Sequence, residues 1–244
     1  MRWPKAGAWP RVKPGWVLLA LLFAYSLVVT SAWLRAQSRA AEGAAAPQGA
    51  AAVTAPQEDG LWFPVVGARL PQNPAYLPGA ARPYRQGVNQ GFNFYSDDAG
   101  VPIAYGTPVI AAADGTVRRA DLVYREHSQE AWQALLAAVS ERGADEAQLD
   151  SLRGRQIVLE TDDGYLLRYA HLANIRPGIG TGVRVYRGQV IGFVGNSGTP
   201  EGVRGSTQGA RLHFEVWEPE GSFFGEGLDE EALRVRAASL FVGP

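Results

Sequence analysis

Two short segments carry the side chains best suited to metal or acid–base chemistry. One is Asn89-x-Gly91-x-Asn93 and the other is Arg211-x-His213. Together they would offer a divalent metal one imidazole and two neutral amides, with a permanent cation beside them. A hydrolytic zinc site normally takes three ligands from His, Asp, Glu or Cys and leaves one position open for water. The whole chain has three histidines and no cysteine, so we expect no conventional zinc site.

Arg211 is the least suitable of these side chains for catalysis. A guanidinium group has no acceptor and does not deprotonate in proteins, so it cannot act as a general base. Its fixed positive charge would also repel a metal cation. Without zinc, nothing lowers the pKa of an attacking water toward neutrality. The sequence leaves open whether Arg211 pairs with Glu215, with Asp98 or with a ligand.

The two other histidines, His171 and His127, have different local contexts. His171 follows Tyr169-Ala170, so it either faces a groove as a functional group or is hydrogen-bonded structurally at the end of a strand. His127 lies just before a segment with helical spacing, where we interpret it as a solvated loop histidine.

The elements that must position these groups are mainly β-strands. From Thr107 onward, short apolar runs alternate with turn residues, which is typical of an antiparallel β domain. Asp114-Gly115 and Asp163-Gly164 each separate two such runs and predict two-residue hairpins. The stretch Val183 to Val194 predicts a further hairpin. In the closing strand, residues 211–217, the alternation places Arg211, His213 and Glu215 on one face.

One segment, residues 128–152, interrupts the β pattern. Trp132, Leu135, Leu136 and Val139 recur at helical spacing, with Ser128 as N-cap and Gly143 as a stop. Leu149 and Leu152 indicate a second short helix. The insertion is either a docking element or a helical hairpin that covers a sheet edge.

Five ordered sequence blocks resemble the M23 (LytM-type) peptidase domain, which cuts peptide cross-links in bacterial cell walls. They extend over residues 83–219. The first block, Asn89-Gln90-Gly91-Phe92-Asn93, is similar to the family's His-x-Gly-x-Asp. The second block, Gly106-Thr107-Pro108-Val109 followed by Ala113-Asp114-Gly115-Thr116-Val117, is similar to Gly-Thr-Pro-Val and Ala-Asp-Gly-x-Val. The last three are Tyr169-Ala170-His171-Leu172, which is similar to Tyr-Ala-His-Leu, the stretch Gly188 to Gly198, which is similar to the glycine hairpin, and Arg211-Leu212-His213-Phe214-Glu215, which is similar to His-Leu-His-Phe-Glu.

The resemblance also implies a role for each site position. Asn89, Asn93 and His213 stand at the zinc positions of the family, and the first two are substituted. His171 and Arg211 stand at the catalytic positions, and Arg211 is substituted. We therefore expect a pseudoenzyme with no metal cofactor, whose ligand groove contains all five residues. The alternative is an active zinc metalloendopeptidase with an unusual ligand set.

The N-terminal part of the chain contains a candidate membrane anchor. Residues 15–34 are uncharged and largely apolar, and as a helix they would span about 30 Å, the thickness of a bilayer's hydrocarbon core. Trp16 and Trp33 lie near the two ends, and the basic residues Arg2, Lys5, Arg11 and Lys13 precede the segment, which favours a cytoplasmic N-terminus. A cleaved signal peptide is the competing interpretation.

These signals predict the organisation of the chain and its partners. We expect a cytoplasmic segment (1–14), a single transmembrane anchor (15–36), a flexible linker (37–60), an extended segment packing on the domain (61–82), the M23-like domain (83–219) and a C-terminal extension (220–244). We expect the domain to lie outside the cell membrane and to bind peptidoglycan or a cell-wall hydrolase. The net charge of −1 gives no basic excess, so no nucleic-acid partner is expected.

Overall fold

Antiparallel β-strands dominate the computed structural model, which describes residues 60–243. The strand bounds are β1 (Ala81–Arg82), β2 (Gly87–Val88), β3 (Phe92–Phe94), β4 (Pro108–Ile110), β5 (Gly115–Ala120), β6 (Ile157–Thr161), β7 (Leu166–Ala170), β8 (Leu172–Ile175), β9 (Arg184–Val185), β10 (Val190–Val194) and β11 (Leu212–Trp217). The mainly β class predicted from the sequence is confirmed for these residues.

The strands form three sheets. The largest has six strands in the order β3-β11-β7-β6-β5-β9, the second has the order β4-β10-β8, and β1 pairs with β2. Every pairing between these strands is antiparallel. In β11, the alternation of side chains sends Leu212, Phe214 and Val216 into the apolar core. The residues between them are left facing the site.

Only one of the three predicted hairpins is present. Asp163-Gly164 joins β6 to β7, which pair with each other. The prediction of a hairpin at Asp114-Gly115 is wrong, because β4 pairs with β10 and β5 pairs with β6 and β9. The prediction of a hairpin over Val183 to Val194 is also wrong, because β9 and β10 belong to different sheets. A turn dipeptide and an alternating run are local signals, and they do not show that the chain passes from one sheet to the other at these two places.

Four α-helices are present in the described part of the chain: α1 (Gln129–Arg142), α2 (Glu146–Arg153), α3 (Pro200–Val203) and α4 (Glu230–Leu240). The first two occupy the insertion between β5 and β6. Ser128 caps α1 by accepting from the Ala131 amide at 3.2 Å, and α1 ends at Gly143, whose φ is 79°. Trp132 and Val139 are buried, so the apolar stripe packs on its own domain.

The segment before β1 and the segment after β11 pack together. Leu61 bridges Phe241, and the ring of Phe63 stacks on that of Phe241 with centroids 4.4 Å apart. Leu61, Val65 and Leu77 are buried in the core. Residues 61–82 therefore contribute to the core and include one turn of 3-10 helix, Pro74–Tyr76.

No helix within residues 60–243 is long and apolar enough to span a bilayer. The predicted anchor, 15–36, and most of the predicted linker, 37–60, lie outside the described residues.

Candidate functional site

A single cleft of about 560 Å³ brings together all five residues that the sequence singled out. Asn89, Asn93, His171, Arg211 and His213 line it. They come from the segment after β2, from β3, from the junction of β7 with β8, and from the start of β11. Strand pairing accounts for part of this arrangement, because β11 lies between β3 and β7.

His213 lies between Asn93 and Glu215. The register of β11 with β3 places His213 opposite Asn93, and the His213 Nδ1 atom is 3.0 Å from Asn93 Oδ1. The Nε2 atom is 3.0 Å from Glu215 Oε1. Burial lowers the pKa of His213, although the neighbouring Glu215 opposes the shift. Both ring nitrogens therefore have partners from the protein itself.

Glu215 is the carboxylate nearest to this histidine, and it is fully engaged. Arg153 Nε donates to Oε1 at 2.7 Å, the indole of Trp217 donates to Oε2 at 2.7 Å, and Arg168 Nε is 3.0 Å from Oε2. Burial alone would raise the pKa of Glu215, but His213, Arg153 and Arg168 together hold it well below its usual range. Glu215 thus fixes His213 and the end of α2, and its oxygens are not free for another ligand.

Asn89 is also held by the protein. It is buried, and its side-chain amide donates to the carbonyls of Leu77 at 2.8 Å and of Gly91 at 2.5 Å. Gly91 allows this segment to approach β11, since a Cβ there would lie 2.4 Å from the carbonyl oxygen of Phe214. The glycine of the Asn-x-Gly-x-Asn block is therefore required by packing.

His171 has a strained backbone and a defined tautomer. Its φ is 59°, which is uncommon for a residue other than glycine, and its amide donates to Arg153 O at 2.8 Å. Nδ1 donates to the carbonyl of Ser197 at 2.8 Å, so Nε2 is the acceptor of the neutral ring. Burial, with Arg211 and His213 nearby, lowers the pKa of His171 well below its ordinary value.

Arg211 donates a hydrogen bond to the remaining acceptor of this ring, the Nε2 atom of His171. One guanidinium nitrogen, Nη2, donates to His171 Nε2 at 2.9 Å, and the guanidinium lies 5.6 Å from the ring centroid of Tyr95. Neither acidic partner considered from the sequence is used. Glu215 pairs with Arg153 and Arg168, and Asp98 accepts from the backbone amides of Gln72 and Asn73.

His127 does not take part in the cleft. It is partly exposed, and its ring centroid lies 6.2 Å from that of Trp132. Within residues 60–243, no group of three His, Cys, Asp or Glu side chains is placed to hold a metal ion.

Several residues that line the cleft were not singled out from the sequence. The main ones are Arg82, which precedes the 3-10 turn Pro83–Arg85, and Tyr84 and Arg85 within that turn, with Tyr95 after β3 and Arg153 at the end of α2. The cluster Arg82-Pro83-Tyr84-Arg85, three residues before the Asn-x-Gly-x-Asn block, was the available signal. The insertion also contributes, because Trp132 and Leu136 of α1 and Leu152 of α2 form part of the wall.

The family model described as peptidase family M23 matches residues 97–224, more than half of the chain. The chain belongs to peptidase family M23. The match includes His171, Arg211 and His213, and it begins after Asn89 and Asn93.

Solved structures give more distant similarities, and no curated protein matches the chain. A zinc-containing peptidase from Vibrio cholerae is 24% identical, with a TM-score of 0.42 over 68% of this chain and 39% of that one. Csd3 from Helicobacter pylori is 18% identical, with a TM-score of 0.40 over 74% and 40%. The catalytic domain of lysostaphin from Staphylococcus simulans is 21% identical, with a TM-score of 0.37 over 60% and 82%. The chain spans about two fifths of the length of the first two.

Proposed function

We propose that this chain is a membrane-anchored M23 protein that acts at the bacterial cell wall without hydrolysing it. Its cleft would bind peptidoglycan or a cell-wall hydrolase. The observation that carries the proposal is the contact of Arg211 with His171, because it joins the two catalytic positions of the family to each other.

The donor set supports the absence of a catalytic metal. Asn89 and Asn93 stand where the family has a histidine and an aspartate, and neutral amide oxygens are poor zinc ligands compared with imidazole or carboxylate. Asn89 directs its amide N–H groups to backbone carbonyls, and Glu215 is taken up by Arg153 and Arg168. The residues present therefore do not fit a zinc ion.

The acid–base positions point the same way. The lone pair on His171 Nε2 accepts from Arg211, so it is not available to take a proton from water. Protonating His171 would place two cations in contact in a buried site, which is unfavourable. Arg211 itself has no lone pair to offer. Neither group can serve as the general base of a hydrolysis.

The side-chain amide of Asn93 can contact His213 directly, whereas a carboxylate and an imidazole in a metal site are joined through the metal ion. Asn carries both a donor and an acceptor, whereas an ionised carboxylate carries acceptors alone. The Asn93 side chain can therefore be satisfied by the imidazole of His213 without a cation between them. We infer that the cleft keeps its shape through these contacts, and that its shape serves for binding.

The proposed location rests on the sequence of the N-terminal part. The apolar run 15–34, flanked by tryptophans and preceded by four basic residues, supports a single-pass anchor with the domain outside the cell membrane.

The test compares binding with hydrolysis on the same material. Purified full-length protein is mixed with insoluble peptidoglycan, and the pellet, the released peptides and the turbidity are followed together. We expect the protein to sediment with the wall while no peptides are released, with or without added zinc. Release of peptides at a rate that depends on zinc would support the alternative, an active zinc metalloendopeptidase.

A further inference from the structure

Three arginines in the cleft have no acidic partner. Among residues 60–243, Arg82, Arg85 and Arg211 form no ion pair, unlike Arg153 on the same cleft, which pairs with Glu215 and Glu146. Their guanidinium groups use neutral acceptors. Arg82 donates to the carbonyls of Ala75 and Ala81, Arg85 to the carbonyl of Val88, and Arg211 to His171. Three positive charges at one place therefore have no ion-pair partner. The two carboxylates that line the same cleft pair with other arginines, Glu215 with Arg153 and Arg168 and Glu201 with Arg204.

These guanidinium groups influence one another. Burial lowers the pKa of Arg82, and the nearby Arg85 and Arg211 lower it further. Burial likewise lowers the pKa of Arg85 and Arg153 adds to the shift, whereas Tyr84 and Glu215 oppose it. A protein that concentrates like charges in a partly desolvated cleft gains stability when an anion enters it. Each guanidinium has five N–H donors, and hydrogen bonds within the protein use one or two of them in each of these arginines.

The other walls of the cleft combine apolar and aromatic side chains with the polar residues Thr199, Glu201 and Glu215. Trp132, Leu136 and Leu152 come from the helical insertion, and Tyr84 and Tyr95 lie beside the arginines. A volume of about 560 Å³ is within the range of sites that take small organic ligands. The combination suits a ligand with carboxylate groups at one end and apolar or backbone atoms along the rest, which is the chemistry of a short acidic peptide.

We propose that this cleft is a binding site for the acidic peptides of the wall, with Arg82, Arg85 and Arg211 as the residues that select their carboxylates. Planar guanidinium groups bind carboxylates through two parallel hydrogen bonds, which adds geometric selectivity to the charge. This inference rests on the proposed function, since it assumes that the ligand is peptidoglycan. It adds the part of the ligand that is recognised and the side chains that recognise it.

The experiment measures binding of the full-length protein to soluble fragments released from peptidoglycan by a muramidase. The same fragments with their carboxylates converted to amides serve as the neutral probe, and isothermal titration calorimetry gives both dissociation constants. We expect amidation to weaken binding by about ten- to a hundredfold, the usual size of a lost charge-assisted contact.

Variants assign the effect to the cleft. The double substitution Arg82→Gln and Arg85→Gln should weaken binding of the native fragments and reduce the difference between the two probes, with Arg211 retaining part of it. The matched control, Arg118→Gln with Arg184→Gln, removes the same charge from two surface ion pairs outside the cleft and should bind as the wild type does. If the first double variant does not fold, as judged by circular dichroism, Arg82→Lys with Arg85→Lys keeps the charge and tests the bidentate geometry, with intermediate affinity expected.

Two results would overturn the inference. Equal affinity of the wild type for native and amidated fragments would mean that carboxylates are not recognised, and no binding of native fragments by the folded protein would mean that wall peptides do not enter the cleft. The proposed function is judged separately by sedimentation with whole walls and by the absence of hydrolysis. A protein that sediments with walls yet ignores amidation would keep that function and lose this inference.

Discussion

At the scale of single residues, the chemistry of the cleft depends on which side-chain atoms already have hydrogen-bond partners within the protein. His171 donates from Nδ1 to Ser197 and accepts at Nε2 from Arg211, so its ring is saturated. The types of these residues could be predicted from the sequence. Their contacts could not, because the His171–Arg211 contact depends on the left-handed backbone of His171 and on the position of the loop that carries Ser197.

The two buried histidines predict a pH dependence of stability. The folded-state pKa values of His171 and His213 are lowered, so the unfolded chain binds protons first, below a pKa of about 6.5. Their contribution is present above that pH and is lost as the pH falls. Between pH 7.5 and pH 5.5 we therefore expect the free energy of unfolding to fall, measured by urea denaturation, with the larger part from His171, whose pKa is the more strongly lowered.

A matched pair of variants assigns this dependence to the cleft. His171→Gln should reduce the loss of stability between the two pH values, whereas His127→Gln, which changes a partly exposed ring outside the cleft, should leave it in place. Stability that is constant or rises on acidification would contradict the description of the buried, neutral imidazoles.

At the scale of elements, the helical insertion is joined to the site through Arg153. This last residue of α2 is buried, and its side chain contacts Glu215, Glu146 and Gln90. The two helices could be predicted from the apolar spacing and from Ser128 and Gly143. Their role as a wall of the cleft could not, because an amphipathic pattern states that one face is covered and does not state by what. The predictions of hairpins at Asp114-Gly115 and over Val183 to Val194 were wrong for a similar reason, because a turn signal does not specify which sheet the next strand enters.

Arg153 gives the prediction at this scale. Arg153→Gln leaves the buried carboxylate of Glu215 with less compensation, and breaking a buried ion pair by removing one partner typically costs about 3 kcal/mol or more. We expect a clear loss in the free energy of unfolding, measured by chemical denaturation. Arg118→Gln removes an exposed pair with Glu160 and should change stability far less. Equal effects of the two substitutions would contradict the linking role of Arg153.

At the scale of the whole molecule, the N-terminal sequence predicts where the M23 domain lies. The basic residues before the apolar run favour a cytoplasmic N-terminus, so the domain would be exposed outside the cell membrane. Protease added to spheroplasts should degrade the domain and leave a fragment that contains the anchor. A cytoplasmic protein treated in parallel is the control for lysis. A protected domain would contradict the orientation, and a mature N-terminus near Trp33 would indicate a cleaved signal peptide.

The central claim, that the substituted cleft does not hold a catalytic zinc, is tested most directly by elemental analysis. The full-length protein is purified without chelators, loaded with zinc and desalted, beside a triple variant with Asn89→His, Asn93→Asp and Arg211→His, which supplies the ligand types of the family. We predict far less than one zinc per chain in the wild type and a gain of zinc in the triple variant that a further His213→Ala removes. Near-equimolar zinc in the wild type, lost on His213→Ala, would contradict the account.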